Sequence, residues 1–350
     1  MRYGAAMTTT GSIQTVLGSL APEDLGPTQT HEHLLIDLIG RMGRRAETPE
    51  ELARWEEPIS LRNAYDVRRH IRLFAENLRL SDIDEAIDEL RAFADAGGST
   101  IVDLTTIDLG RDPAALVRIS RETGVHVVMG TAYYVHDFHP PEIAQMSEEQ
   151  VAEVFVRDLT AGEPRAGIIG EIGMTWPHHP DEVKVLRAAV RAQRETGAPL
   201  SIHPGRDPEA PLAAMEEVER AGGDPNRTVV GHIDRTLTRR DDIHALAQRG
   251  CYVEFDLFGQ ESSYYDLDTR IDMPNDAARI DHIVSLIERG HGDRVLVSQD
   301  ICRKAHLRRY GGEGYGHLLG RVVPMMRRKG MSHADIDRVL IGNPANLLAL

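Results

Sequence analysis

Ser99-Thr100-Ile101-Val102-Asp103-Leu104 is a short β-branched run. It is followed by a helical stretch from Pro113 to Thr123, and then by a second β-rich run, Val125-His126-Val127-Val128-Met129-Gly130. The middle stretch carries its own punctuation. Asp112 is an N-cap, Pro113 takes the first helical position and Gly124 ends the helix. This strand–helix–strand unit repeats in both directions. Upstream, a run after Gly26 ends at His33. Downstream come Gly167–Gly173, Pro199–His203, Thr228–Ile233, Cys251–Phe255 and Arg294–Ser298, which makes eight strands. Helical spacing marks Ile83–Ala96, Glu148–Leu159 behind the cap Ser147, Asp181–Thr196, Ile243–Arg249 and Ala277–Arg289. Eight strands alternating with helices predict an α/β fold, a (β/α)8 TIM barrel. A doubly wound open sheet is the alternative, but no Gly-x-Gly-x-x-Gly follows the first strand. Gly311-Gly312-Glu313-Gly314 reads as a loop and not as a phosphate cradle.

One stretch breaks the rhythm. Residues 39–80 intervene between the first strand and the first barrel helix, with charge pairs such as Arg44-Arg45 and a helical piece over Ala64–Phe74. An insertion there lies on the C-terminal face of a barrel, so it reads as a lid or wall of the active-site mouth. After the eighth strand, Tyr315–Arg328, Ser332–Ile341 and Asn343–Leu348 read as C-terminal helices. Residues 1–12 read as a loose N-terminus and 13–350 as one domain. The formal charge of -15 argues against nucleic acid or an anionic membrane as partner, since both demand basic patches. Cys251 and Cys302 are too few for a disulfide framework. No signal peptide or spanning helix is read anywhere, so a cytoplasmic location and a small-molecule substrate are the expectation.

Within the first strand, Thr30-His31-Glu32-His33-Leu34 places two histidines two residues apart, on one face of a strand, with Glu32 turned the other way. Alone, such a pair is as readily a polar strand end as half a metal cage. Glu171, His203, His232 and Asp300 stand at the ends of the fourth, fifth, sixth and eighth strands. In this fold those ends converge on one mouth. Four imidazoles and two carboxylates exceed one tetrahedral site and suit two divalent ions. Zn2+ is the first choice, with Mn2+, Co2+ or Fe2+ as alternatives. Asp234, two residues beyond His232, reads as a residue orienting His232 or Asp300, or else as a helix cap. Tyr133, Tyr134, Arg206, Arg303 and Lys304 are the substrate-contact candidates, because cations at the mouth suit a carboxylate, sulfonate or phosphate.

Thr30-His31-Glu32-His33, Gly170-Glu171-Ile172-Gly173, Ile202-His203-Pro204-Gly205, Gly231-His232-Ile233-Asp234 and Ser298-Gln299-Asp300 resemble the metal motifs of the phosphotriesterase family, within the amidohydrolase superfamily. Leu109–Pro113, Gly130–Tyr134, Tyr310–Tyr315 and Gly342-Asn343-Pro344 are similar to further family signatures, in unbroken order from about Ile13 to Leu348. The resemblance implies a binuclear metal-dependent hydrolase. His31, His33 and Asp300 would hold the more buried ion, His203 and His232 the more exposed one, and Glu171 would bridge them. The best-known triester-cleaving members carry a carboxylated lysine at that place. Glutamate marks the phosphotriesterase-related branch, whose mammalian members include hydrolases of N-acyl amino compounds. The expected reaction is therefore attack of a metal-bridging hydroxide on a carbonyl substrate (an amide, ester or lactone), with Asp300 moving the proton. A phosphotriesterase and a non-catalytic ligand-binding relative are the alternatives. Family members are often dimers, which leaves a homodimer open.

Overall fold

The computed structural model describes residues 11–42 and 48–350, without the side chains of residues 41 and 42. Of the loose N-terminus expected for residues 1–12, residues 1–10 lie outside that range, as does the charged Arg44-Arg45, whereas Ser12 exchanges two backbone hydrogen bonds with Leu350, at 3.1 and 3.0 Å. The eight expected strands are β1 (Thr28–Glu32), β2 (Thr100–Asp103), β3 (His126–Thr131), β4 (Ile168–Gly173), β5 (Leu200–His203), β6 (Thr228–Val230), β7 (Tyr252–Phe255) and β8 (Val295–Val297). They form one parallel sheet in sequence order, with neighbours paired from β1 to β8. The strands are buried on both faces, which is why most of them read as continuous apolar runs rather than alternating ones.

The sheet closes differently at its seam. Between β1 and β8 the Ser298 hydroxyl accepts the His31 N–H at 3.0 Å and lies 2.8 Å from the His31 carbonyl. The Asp300 N–H reaches the same carbonyl at 3.2 Å. Glu32, on the opposite face from the histidine pair, accepts the N–H groups of Gln299 at 2.7 Å and Ile301 at 2.8 Å. A buried carboxylate thus fastens the loop that carries Asp300. Burial pushes Glu32 up to about 7, even though three hydrogen bonds favour its charged form.

Helices surround the sheet. The caps read from sequence are present: Asp112 accepts the Ala115 N–H, and Ser147 with Gln150 forms a capping box. The helix after β5, Ala210–Arg220, was not singled out by its sequence. Its buried face is built partly from Ala210, Pro211 and Ala214, which give a weak apolar signal. Beyond the seam, helical segments over Leu318–Arg328, His333–Gly342 and Asn343–Leu348 close the chain. No helix among the described residues is long and apolar enough to cross a membrane.

The two ends of the barrel are closed by different means. At the N-terminal end a hairpin, Ile13–Thr15 with Gly18–Leu20, lies across the strands, and Val16 N–H bonds the Val127 carbonyl at 2.9 Å. Ile13, Leu25, Val102, Val128, Ile168 and Leu348 pack there as one apolar cluster. At the other end the insertion folds over the late loops. Asn77 accepts the Ala305 N–H, Glu76 pairs with Lys304, and Asp266 accepts the Ile71 N–H.

Candidate metal centre and active site

The six strand-end residues converge. His33 Nε2 lies 3.4 Å from Glu171 Oε1 and 3.2 Å from Asp300 Oδ1. His31 Nε2 is 3.5 Å from Glu171 Oε2, and the same oxygen is 2.8 Å from His203 Nδ1 and 3.5 Å from His232 Nε2. The nitrogens of His203 and His232 approach to 2.7 Å. Two donor groups result, His31–His33–Asp300 and Glu171–His203–His232, each with its ligand atoms within 4.8 Å of one another. Glu171 touches both groups, one oxygen toward His33 and the other toward His31, His203 and His232.

Backbone conformation at this end is unusual. His232 (φ 53) and Asp300 (φ 50) are, among the described residues, the only non-glycine residues in the left-handed region. Such a conformation costs a residue with a Cβ about 1 kcal/mol or more, and it persists where surroundings over-determine it. Asp256 supplies that hold for His232. Its carboxylate accepts the His232 N–H at 2.9 and 3.0 Å and meets the ring Nδ1 at 2.9 Å. Gln260 Nε2 holds the Asp300 carbonyl at 3.1 Å. Gly173, ending β4, lies so close to the Tyr134–Val135 backbone that a Cβ there would collide with it.

Electrostatics follow from burial against close opposite charges. Burial alone would lower His33 and His232. Asp300 and Glu171 outweigh it for His33, and Asp256 does so for His232, so each is held up at about 9. Burial raises Glu171, but His31 and His203 draw it well below the ordinary carboxylate range. His203 goes the other way, pushed well down by burial and by the neighbouring His232. His31 is fully buried, and its Nδ1 lies 3.0 Å from Asp256 and 3.4 Å from Glu254. Yet neither ring nitrogen makes an aligned hydrogen bond. A buried polar atom left without a partner is costly. This donor set, imidazole and carboxylate facing inward with unpartnered nitrogens, fits divalent metal ions.

The mouth above the donors is a pocket of about 530 Å3. His33, Glu171, His203, His232 and Asp300 line it, as do Tyr134, Arg206 and Arg303 among the expected contacts. From the insertion, Ile71 and Arg72 reach it. Three expectations need correction. Tyr133 packs into the core against Phe155 and His139, while its neighbour Tyr134 faces the pocket. Lys304 is occupied by Glu76 at 3.1 Å and the Tyr310 hydroxyl at 3.2 Å, outside the pocket lining. Asp234 accepts from Arg279 and the Leu257 N–H, while Asp256 orients His232.

Three residues at the site are not evident from the sequence. Glu254 lies in β7, the one late strand that offers no candidate metal ligand in the sequence reading, and Asp256 lies just past its end. The i, i+2 spacing of two acids in Val253-Glu254-Phe255-Asp256 was the available signal. Arg235 is the third. It is 2% exposed, lines the pocket, and sets Nη2 3.3 Å from His203 Nε2. Its position on a one-turn helix, Ile233–Thr236, left no periodicity from which to infer its direction.

Fold and donor set together define a hydrolase-type (β/α)8 barrel. The chain belongs to the phosphotriesterase family, whose family model matches residues 11–348. Human N-acetyltaurine hydrolase is 40% identical over 343 residues, which cover 97% of this chain and 98% of that protein. A resiniferatoxin-binding protein from Rhodobacter sphaeroides has a TM-score of 0.91 at 36% identity, covering 97% of this chain and 95% of its own. A lactonase from Listeria monocytogenes has a TM-score of 0.77 at 26% identity, over 97% and 99% of the two chains. The protein is therefore a hydrolase of this family.

Proposed function

We propose that the protein is a binuclear metal-dependent hydrolase of a carbonyl substrate, with an amide of the N-acyl amino type as the leading class. The observation that carries this reading is the inward-facing donor set, six side chains from five strand ends, with neither His31 ring nitrogen in an aligned hydrogen bond. His31, His33 and Asp300 would hold one ion and His203 and His232 the other, with Glu171 between, and Zn2+ is the first choice. When bound, such a pair supplies a nucleophilic water at neutral pH and polarises the substrate carbonyl. The human relative's name points to the amide, and the listerial relative's name to a lactone as the neighbouring chemistry.

The chain's own groups carry the proton. Asp300, only partly buried and facing the pocket, takes the proton of the attacking water as the new C–O bond forms. It returns that proton to the nitrogen as the C–N bond breaks, so that an acid and an amine leave. Glu32, holding the N–H groups on both sides of Asp300, keeps its carboxylate aimed at the mouth. Tyr134 stands with its hydroxyl 3.3 Å from His203 Nε2, and burial pushes its pKa well up, which keeps it a hydrogen-bond donor.

A hydrolysis screen of N-acyl amino compounds, lactones and aryl phosphotriesters with Zn2+- and Mn2+-loaded protein tests the reading. Amide or lactone turnover with two ions per chain is expected. Turnover of triesters alone would reverse the substrate assignment, and fewer than about one ion per chain would remove the metal mechanism.

A further inference from the structure

The two sides of the mouth differ in chemistry. From the loops after the early strands come Leu38, Leu109, Phe138, Met174 and Trp176. From the loops after the late strands come Arg206, Arg235 and Arg303, gathered around Tyr265. The guanidinium carbons of Arg206 and Arg235 lie 5.5 and 5.7 Å from the Tyr265 ring centre. Burial would raise the Tyr265 hydroxyl, but the three guanidiniums lower it, which reports the sign of the field they make.

None of the three has a carboxylate partner among the described residues. Arg235 meets only neutral acceptors: the Thr236 hydroxyl at 3.1 Å, His203 Nε2 at 3.3 Å and the Pro204 carbonyl at 3.3 Å. Arg303 donates to the Gln260 side-chain Oε1 at 3.0 Å, and its Nε, like that of Arg206, is buried without a partner. Of the acids on this side, Asp268 is taken by Arg270 at 2.6 Å, and Asp207 caps the Glu209 N–H. Arg279, 0% exposed, shows the contrast, since it meets both Asp234 and Asp276. A buried cation without a counter-charge is costly, and here Arg235 and Arg303 are buried while Arg206 is half-buried with its Nε shut off from solvent.

We infer that Arg206, Arg235 and Arg303 form a subsite for the single oxyanion of the substrate, a carboxylate or a sulfonate. The opposite apolar wall then takes the acyl group. This rests on the hydrolase reading above and adds a substrate class to it: an amide whose acyl half is uncharged and whose amine half ends in an acid. Planar guanidiniums suit this task because they present paired N–H donors to an oxyanion and stay charged when buried.

The test compares N-acetyltaurine, N-acetyl-β-alanine and the neutral N-ethylacetamide on metal-loaded protein. The acidic amides are expected to exceed the neutral one in kcat/KM by about 100-fold, the scale on which truncating a buried charge partner weakens a complex. The better of the two identifies sulfonate or carboxylate. Arg235→Met and Arg206→Met should each cut that preference about tenfold or more, mostly through KM, with Arg235→Lys restoring part of it. Calorimetry with ethanesulfonate and propionate gives a second readout that needs no turnover. If neither anion binds, or if both Met variants keep the full preference, the subsite is wrong. If no amide is cleaved but an anion binds and Arg206→Met abolishes that binding, the subsite stands and the amide assignment falls.

Discussion

The two ends of this barrel are closed in opposite ways. The N-terminal end is sealed by apolar contact, with Ile13, Leu25 and Leu348 all fully buried against the strands. The C-terminal end gathers unpartnered nitrogens, left-handed backbone at His232 and Asp300, and buried arginines without counter-charges. One end contributes stability and the other consumes it. The difference teaches where function sits: polar groups that oppose folding persist only where something outside the chain is to be bound.

The contrast can be broken at either end. Asp300→Asn should lower turnover by about 10^3-fold or more while the melting temperature holds, because it removes the group proposed to carry the proton. Full activity in that variant would take Asp300 out of the mechanism. At the sealed end, Leu348→Ala should cost about 2–5 kcal/mol of stability by opening a cavity, measured by chemical denaturation, with kcat of the surviving fold unchanged. A kcat loss there would show that the ends are coupled. Asp256→Asn should weaken metal binding about 10- to 100-fold in a competitive chelator assay. It should affect both ions, since Asp256 lies 3.0 Å from His31 Nδ1 and 2.9 Å from His232 Nδ1.

A milder probe is pH on metal-free protein. Folding lifts His33 and His232 from 6.5 to about 9, so their contribution is complete below about pH 6.5 and is lost as pH rises through about 9. The melting temperature of the metal-free protein should therefore fall by several degrees over that window, and metal uptake near neutral pH should release protons. A flat profile would mean the imidazoles are already neutral. Smallest of all, Thr105→Val removes the hydroxyl 3.0 Å from His33 Nδ1 and should reduce metal affinity only a few-fold.

Much of this is legible in the sequence. Strands flanked by Gly, Pro and Asp announce themselves locally, and the alternation of eight with helices leaves few topologies. The His31/His33 pair declares its shared face through the two-residue period of a strand. Direction is harder to read in loops and short helices. Tyr133 and Tyr134 are adjacent, yet one lines the pocket and the other the core. Lys304 and Arg303 part in the same way. Asp234 was placed by proximity in sequence, but its carboxylate is claimed by Arg279, forty-five residues away.

By itself the sequence determined the barrel, the ends of its strands and the chemical kind of donor at each, because periodicity and capping are local properties of the chain. Only the tertiary structure decided which charges meet. It set Asp256 beneath two histidines, fastened the Asp300 loop to Glu32, and gathered Arg206, Arg235 and Arg303 around Tyr265. Those are contacts between loops distant in sequence, and their energies depend on burial and separation, which no local pattern encodes.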